Sequence, residues 1–282
     1  MKFFQATADV LVPEGAPLEA ALARTTHLSI AAHQDDIEIM AYHGIAACRG
    51  RADAGFTGVI VTDGAGSSRT GVFADYPDEQ MKNVRRDEQR AAARLGGYAA
   101  MIQLAHPSAA VKDAANTTIV DDLRQILSVA RPQVVYLHNP ADKHDTHIAV
   151  LLRSLAAFRE LPLEQRPTKI YGCEVWRDLD WLLDADKCAL DVSASPQLAA
   201  DLVALFASQI AGGKRYDLAT AGRRLANATF HTAHSADGSA ALTWAIDLTP
   251  LVQDAMLSVE EFTVGYVERL RADVVARLRK FS

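Results

Sequence analysis

Residues 32–36 read AHQDD and bring a histidine and two carboxylates into a very short space. His33 and Asp36 stand three positions apart. Where the backbone turns sharply, an imidazole nitrogen and a carboxylate oxygen at this spacing can bind the same divalent ion. Asp35 then points elsewhere and stays free to act as a base. The stretch therefore predicts part of a metal site with a base beside it.

A second pair, His144 and His147, ends the stretch 138–147, which reads HNPADKHDTH. One such pair is a weak signal, since most are ordinary surface or core residues. Together, however, the two stretches offer two histidines, one carboxylate and an open position, which is typical of a catalytic metal rather than a structural one. Zinc hydrolases and non-haem Fe(II) oxygenases share this ligand set, so the residue types leave both open. A catalytically silent metal-binding relative is a third hypothesis, against which the free carboxylate of Asp35 argues.

Each stretch directly follows a short β-branched run that predicts a strand. Such runs alternate with longer helical patterns, which is typical of an α/β fold with a mostly parallel sheet and helices on its faces. In open α/β sheets, ligands gather at the carboxyl ends of the strands. We therefore expect the two stretches to meet at one edge of the sheet. The predicted strands are His27–Ile30, Gly58–Thr62, Val134–Leu137 and one near Ile170–Val175.

Three helices are predicted from capping residues and apolar spacing. The first covers about 77–95, with Pro77 at its first position and glycines after its end. It carries Arg85 on its inward stripe, where a charge must be paired or put to use. A second begins near Asp145, and a third runs from Ser258 to the end with an apolar face. That face is formed by Phe262, Tyr266, Leu270, Val274 and Leu278.

Composition narrows the possible classes of function. The chain has 282 residues and a formal charge of −6, and this acidic balance argues against nucleic acid as a partner. Its three cysteines include no C-x-x-C pair, which favours free thiols and a reducing compartment. No signal-like start and no apolar run of about 18 residues are present. We therefore expect a cytoplasmic protein without a membrane span that acts on a small molecule, and homo-oligomers are compatible with this.

Taken in order, the motifs resemble those of the LmbE-like, or PIG-L, family of metal-dependent amide hydrolases. That family has AHPDDxE after its first strand, an Arg-x-x-Glu helix ending in Leu-Gly, and a later HPDH. Here residues 32–38 read AHQDDIE, 85–88 read RRDE before Leu95-Gly96, and 144–147 read HDTH. The resemblance covers about the first 160 residues well and the remainder loosely.

The resemblance implies a Rossmann-like three-layer sandwich and a role for each motif residue. His33, Asp36 and His147 match the family's Zn²⁺ ligands, and other divalent ions are compatible with this set. Asp35 matches the general base. His144 matches the residue that stabilises the oxyanion, and we expect nearby carboxylates to keep it protonated. The implied reaction is removal of an N-acyl group, acetyl by preference, from an amino-sugar derivative.

Substrate contacts are less clearly indicated. Arg85 is a candidate because the family motif includes it, and Arg69 is another because it lies in a Ser/Gly-rich loop that suits a hydroxyl- or phosphate-bearing ligand. Basic pairs at 214–215 and 223–224 are typical of a solvated face, although one arginine could instead bind an anionic substrate. We expect one hydrolase domain over 1–282, with a core at about 25–175 and a less regular C-terminal elaboration at about 176–282.

Overall fold

Eight strands form one sheet in the computed structural model, which describes residues 1–282. The strands are β1 (Asp9–Leu11), β2 (His27–Ala31), β3 (Phe56–Thr62), β4 (Ala100–His106), β5 (Val134–His138), β6 (Lys169–Cys173), β7 (Cys188–Asp191) and β8 (Leu242–Asp247). Their order across the sheet is β1-β4-β3-β2-β5-β6-β8-β7, and the five strands from β4 to β6 are parallel. The predicted α/β class is confirmed.

The chain order reverses between β2 and β5. From β2 the chain builds outward through β3 and β4, and it then returns to add β5 on the other side of β2. The carboxyl ends of the strands on either side of such a reversal open a crevice in doubly wound folds. The two polar stretches that follow β2 and β5 therefore meet at the edge where a ligand site is expected.

Twelve helices surround the sheet. They are α1 (Leu18–Ala23), α2 (Asp36–Met40), α3 (Tyr42–Cys48), α4 (Asp78–Gly96), α5 (Ser108–Lys112), α6 (Thr118–Ala130), α7 (Asp145–Glu160), α8 (Pro196–Ala204), α9 (Ala207–Ala211), α10 (Tyr216–Phe230), α11 (Thr249–Gln253) and α12 (Val259–Lys280). Neighbouring strand residues such as Ile30 and Ala31 belong to separate apolar clusters of 35 and 24 buried residues. Since successive side chains of a strand point to opposite faces, helices and core lie on both sides of the sheet.

The predicted helices differ from the observed ones in detail. Pro77 is the N-cap of α4 with an extended backbone, not its first helical residue, and Gly97 ends the helix with a φ of 67°.

Ser258 caps α12 by accepting a hydrogen bond from the Glu261 N–H. The apolar face predicted for α12 is wrong beyond its first turns. Phe262 and Tyr266 pack on the core, but no residue of α12 is buried. Val274 and Leu278 are 46% and 66% exposed, because the helix continues past the body it packs on.

The C-terminal part is more regular than the sequence indicated. The strands β8 and β7 extend the same sheet beyond β6, each antiparallel to its neighbour. Such short edge strands give only a weak alternating pattern. No helix has both the length and the apolar character needed to cross a membrane.

Candidate metal centre

A tight turn after β2 brings His33 and Asp36 together. Asp35 stands at the corner with a φ of 94°, a conformation that is rare for residues other than glycine. Asp36 then begins α2, and its Oδ2 accepts a hydrogen bond of 2.7 Å from the His33 N–H. The same oxygen lies 3.3 Å from His33 Nδ1. Two potential ligand atoms therefore face one point in space.

The third atom arrives from the end of β5. His147 lies in the first turn of α7 and is fully buried. Its Nε2 lies 3.2 Å from His33 Nδ1 and 3.3 Å from Asp36 Oδ2. The three atoms thus form a nearly equilateral triangle. A tetrahedral ion with bonds of about 2.0–2.1 Å would hold its ligand atoms ~3.3–3.4 Å apart, which is close to these distances.

Two overlapping groups of ligand atoms, each within 4.8 Å of one another, share His147. They are His33, His144 and His147, and Asp36, His138 and His147. In the second group, His138 Nε2 already accepts a hydrogen bond of 2.9 Å from the Ala32 N–H. Since each neutral imidazole has one ring nitrogen that accepts, His138 has no lone pair left for an ion. Burial, followed by the charge of His147, holds the pKa of His138 well below its usual value.

The buried carboxylate of Asp142 orients His147. Asp142 Oδ2 lies 3.1 Å from His147 Nδ1, on the opposite side of the ring from the triangle. If Nδ1 carries the proton and donates it to the carboxylate, Nε2 presents its lone pair to His33 and Asp36. The sequence stretch included Asp142, but its spacing from His147 gave no reason to assign it this role.

The charges around the triangle favour an ionised carboxylate. Burial acts to raise the pKa of Asp36, but the charge of His147 and the hydrogen bond from His33 outweigh it and bring the pKa below its usual value. Burial acts to lower the pKa of His147, but the carboxylates of Asp36 and Asp142 outweigh it, so the pKa of His147 is raised above its usual value. A dense set of charged groups in a buried space is the environment in which a bound cation can replace protons.

Asp35 lies beside the triangle but does not belong to it. Its Oδ2 is 3.0 Å from Arg85 Nη2, and its N–H donates a hydrogen bond of 3.3 Å to Gln89 Oε1. Burial raises the pKa of Asp35 to about 6, although the nearby Arg85 acts to lower it. A buried carboxyl with a raised pKa and a fixed position is suited to accept a proton near neutral pH.

The charged stripe of α4 is explained by this arrangement. Arg85 is only 1% exposed, and besides Asp35 it pairs with Glu88 at 3.1 Å and donates to the Gln34 carbonyl. Glu88 in turn accepts hydrogen bonds of 2.7 Å from the N–H and the hydroxyl of Ser208. The predicted buried charge is therefore paired, and it joins α4 to the turn after β2.

The two arginines predicted as substrate contacts occupy different places. Arg85 lines the cavity next to the triangle. Arg69 is not among the lining residues, and it donates instead to the Ala65 carbonyl and to Asp78. Its role in binding substrate stays a prediction.

His144 is the N-cap residue of α7, and its ring is stacked on His147 at a centroid distance of 4.6 Å. Its pKa falls to about 4, first because of burial and then because of the charges of His147 and His33. The expectation that nearby carboxylates keep His144 protonated is therefore wrong. Asp36 and Asp142 act in that direction, but burial and the neighbouring histidines outweigh them. A neutral His144 can still donate one ring N–H.

A cavity of about 470 Å³ opens above the triangle. One wall is formed by His33, Asp35, Asp36 and His144, and a second by the loop that follows β3, at 64–68. A third wall comes from the C-terminal part of the chain and includes Trp176, Lys214, Tyr216 and Arg223. Sequence reasoning did not identify Tyr216 as a cavity residue, since no motif surrounds it.

Several solved structures share the α/β fold of this chain. N,N′-diacetylchitobiose deacetylase from Pyrococcus horikoshii is 17% identical, with a TM-score of 0.61 over 86% of this chain and 91% of that one. The 4-carboxy-2-hydroxymuconate hydratase GalB from Pseudomonas putida is also 17% identical, with a TM-score of 0.60 over 79% of this chain and 95% of that one. The zinc-inhibited form of the teicoplanin deacetylase Orf2 is 15% identical, with a TM-score of 0.54 over 78% of this chain and 97% of that one.

Residues 28–158 match the family model described as PIG-L: GlcNAc-PI de-N-acetylase. This region carries the motifs that resemble the PIG-L, or LmbE-like, family, and the match confirms that resemblance. No curated protein sequence matches the chain. The solved structures share the fold, but at these identities they do not carry their substrates over to this chain.

Proposed function

We propose that this protein is a zinc-dependent hydrolase that removes an N-acyl group, acetyl by preference, from a small polar molecule such as an amino-sugar derivative. Residues 1–282 would act as one hydrolase domain, with His33, Asp36 and His147 as metal ligands. The observation that carries the proposal is the triangle of ligand atoms with sides of 3.2–3.3 Å. The match of residues 28–158 to a de-N-acetylase family supports the reaction type.

The donor set fits a catalytic ion. Three protein ligands leave a fourth position of a tetrahedron free for substrate or water. His33 is partly exposed, and it lines the cavity together with Asp36, so an ion held by these residues would be accessible from the cavity. When bound there, the ion would supply polarisation of the acyl carbonyl and would lower the pKa of water.

The chain's own residues would handle the protons. Asp35 lines the cavity beside the ligands and, with its raised pKa, would accept a proton from the attacking water. Arg85 would hold the Asp35 carboxylate in one orientation through their contact of 3.0 Å. Asp35 could then return the proton to the amine as the C–N bond breaks.

His144 would act on the oxyanion as a neutral donor. Its ring lies on the cavity wall beside both His33 and His147. Since its pKa is lowered to about 4, it would donate one N–H as neutral imidazole rather than contribute a positive charge. Its Nδ1 is buried without a partner, so the outcome depends on which ring nitrogen holds the proton.

The test is release of acetate from a panel of N-acetyl compounds by protein that contains one equivalent of metal. Zinc, Co²⁺, Mn²⁺ and Fe²⁺ are compared, with and without oxygen. Acetate release that needs metal, does not need oxygen and is lost in Asp35→Asn would support the proposal. Oxygen-dependent turnover with Fe²⁺ alone would favour the oxygenase. Addition of water to an unsaturated acid without acetate release would favour a hydratase, since GalB has the same fold. Tight metal binding without any turnover would favour a silent relative.

A further inference from the structure

One wall of the cavity beside the metal triangle comes from a part of the chain that the family model does not cover. Trp176 follows β6, Lys214 precedes α10, and Tyr216 and Arg223 lie on α10. Tyr216, Ala219, Thr220 and Arg223 all line the cavity, which is the spacing of one helix face. The motifs that support the proposed reaction therefore do not include these side chains.

Two cations on this wall form no salt bridge, although the charge of Arg223 acts to lower the pKa of the buried Glu174 carboxyl. Lys214 Nζ lies 5.0 Å from the centre of the Trp176 ring. Arg223 is half-buried and donates from Nη1 to the Val175 carbonyl, which fixes the guanidinium and leaves its other N–H groups free. By contrast, the third cation of the cavity, Arg85, is neutralised by Asp35 and Glu88.

The positive charge on this wall favours the binding of an anionic ligand. Removing a guanidinium from water is costly unless an anion or several acceptors compensate for it. Arg223 has one carbonyl acceptor and an open cavity in front of it. Its planar group of donors matches the oxygens of a carboxylate or a phosphate. Lys214 lines the same cavity and adds a second positive charge, and the Trp176 ring beside it offers a flat apolar surface.

We propose that this wall, formed by Trp176, Lys214, Tyr216 and Arg223, binds an anionic group of the substrate, a carboxylate or a phosphate. The acylated nitrogen would lie at the metal triangle, and the anion would lie against this wall. This rests on the proposed function for the reaction, but the binding of the anion can be measured without it. The substrate class is therefore an N-acyl amino compound that carries a negative charge.

Activity is compared on matched substrates that differ in charge: N-acetylglucosamine, its 1-phosphate and 6-phosphate, and N-acetylmuramic acid. We expect kcat/KM to be at least about tenfold higher for one of the charged compounds, since one charge-assisted hydrogen bond contributes roughly that factor. The phosphate and carboxylate compounds decide between the two anions. Raising the ionic strength should raise KM for the charged compound only, because salt screens partly exposed charges.

Variants of Arg223 and Lys214 show whether this wall causes the preference for charged substrates. In Arg223→Met the preference for the charged over the neutral substrate should fall about tenfold, and Arg223→Lys should keep part of it. Lys214→Met should lower the preference by a few fold, since this side chain is exposed. Lys112→Gln, at an exposed lysine of α5 that does not line the cavity, is the matched control and should change nothing.

Binding measured by calorimetry tests the anion site separately from the proposed hydrolysis. Glucosamine 6-phosphate, glucosamine and muramic acid are titrated into metal-loaded protein, so that no turnover is required. Tighter binding of a charged compound that Arg223→Met abolishes supports the anion site even if no acetate is released from any substrate. Equal binding of charged and neutral compounds would overturn the anion site. So would a preference for the charged compound that survives in the Arg223→Met, Lys214→Met double variant while its melting temperature is unchanged.

Discussion

Replacing Asp142 by asparagine should weaken metal binding without touching a metal ligand. The carboxylate accepts backbone N–H groups at both oxygens, from Lys143, His144 and Arg177 at Oδ1 and from Trp176 at Oδ2. Only Oδ2 faces His147 Nδ1, at 3.1 Å. Asparagine has one accepting oxygen, and the side with three N–H donors will take it. The amide NH₂ then faces the imidazole.

The expected loss of zinc affinity in Asp142→Asn follows from this geometry. An amide NH₂ beside Nδ1 requires Nδ1 to accept, which moves the ring proton to Nε2, the nitrogen of the triangle. A protonated Nε2 cannot bind an ion. Carboxylates that orient a ligand histidine typically contribute 10–100-fold in metal affinity. We therefore expect zinc affinity to fall by about that factor, which corresponds to roughly 1.4–2.7 kcal/mol.

The assay is a zinc titration against a chromophoric chelator, together with melting temperatures of the metal-free and metal-loaded forms. Asp113→Asn is the matched control, because Asp113 is an exposed carboxylate that accepts one backbone N–H from Ala115 at 3.0 Å. The gain in melting temperature on adding zinc should shrink in Asp142→Asn and stay unchanged in the control. Wild-type zinc affinity in Asp142→Asn, with only the metal-free form destabilised, would refute the orienting role.

Three further substitutions assign the remaining roles. His147→Ala should lose the bound ion, as measured by elemental analysis of purified protein, and full occupancy would remove it from the ligand set. Asp35→Asn should keep the ion and lower kcat by about 10²–10⁴-fold in the acetate assay; loss of metal there would mean that the base and a ligand have been exchanged. His144→Ala should keep both the ion and KM within a small factor and lower kcat by ~10²–10³-fold. A fully active His144→Ala with a lowered melting temperature would instead reduce His144 to a residue that caps α7.

Local sequence determined the strands and helices that carry the site and the first half of the site itself. The β-branched runs at 27–31 and 134–138 are strands because they are apolar, short and followed by polar turns. The AHQDD stretch had to turn after its strand, and the spacing of His33 and Asp36 alone indicated a shared ion. The capped pattern from Asp145 likewise located α7 and its two histidines. These inferences need only neighbours in the chain, so no tertiary contact was required to make them.

Tertiary structure decided what depends on distant residues. His33 and His147 are 114 positions apart, and only the reversal of strand order brings their nitrogens to 3.2 Å. The lowered pKa of His144 could not be predicted from its flanking carboxylates, because it results from burial and from rings that the fold stacks against it. The sequence showed the basic pairs at 214–215 and 223–224, but only the fold places Lys214 and Arg223 beside Trp176 on one cavity wall, since they come from separate segments. Spacing along the chain specifies local geometry, whereas burial and the charge around a group are set by every element packed against it.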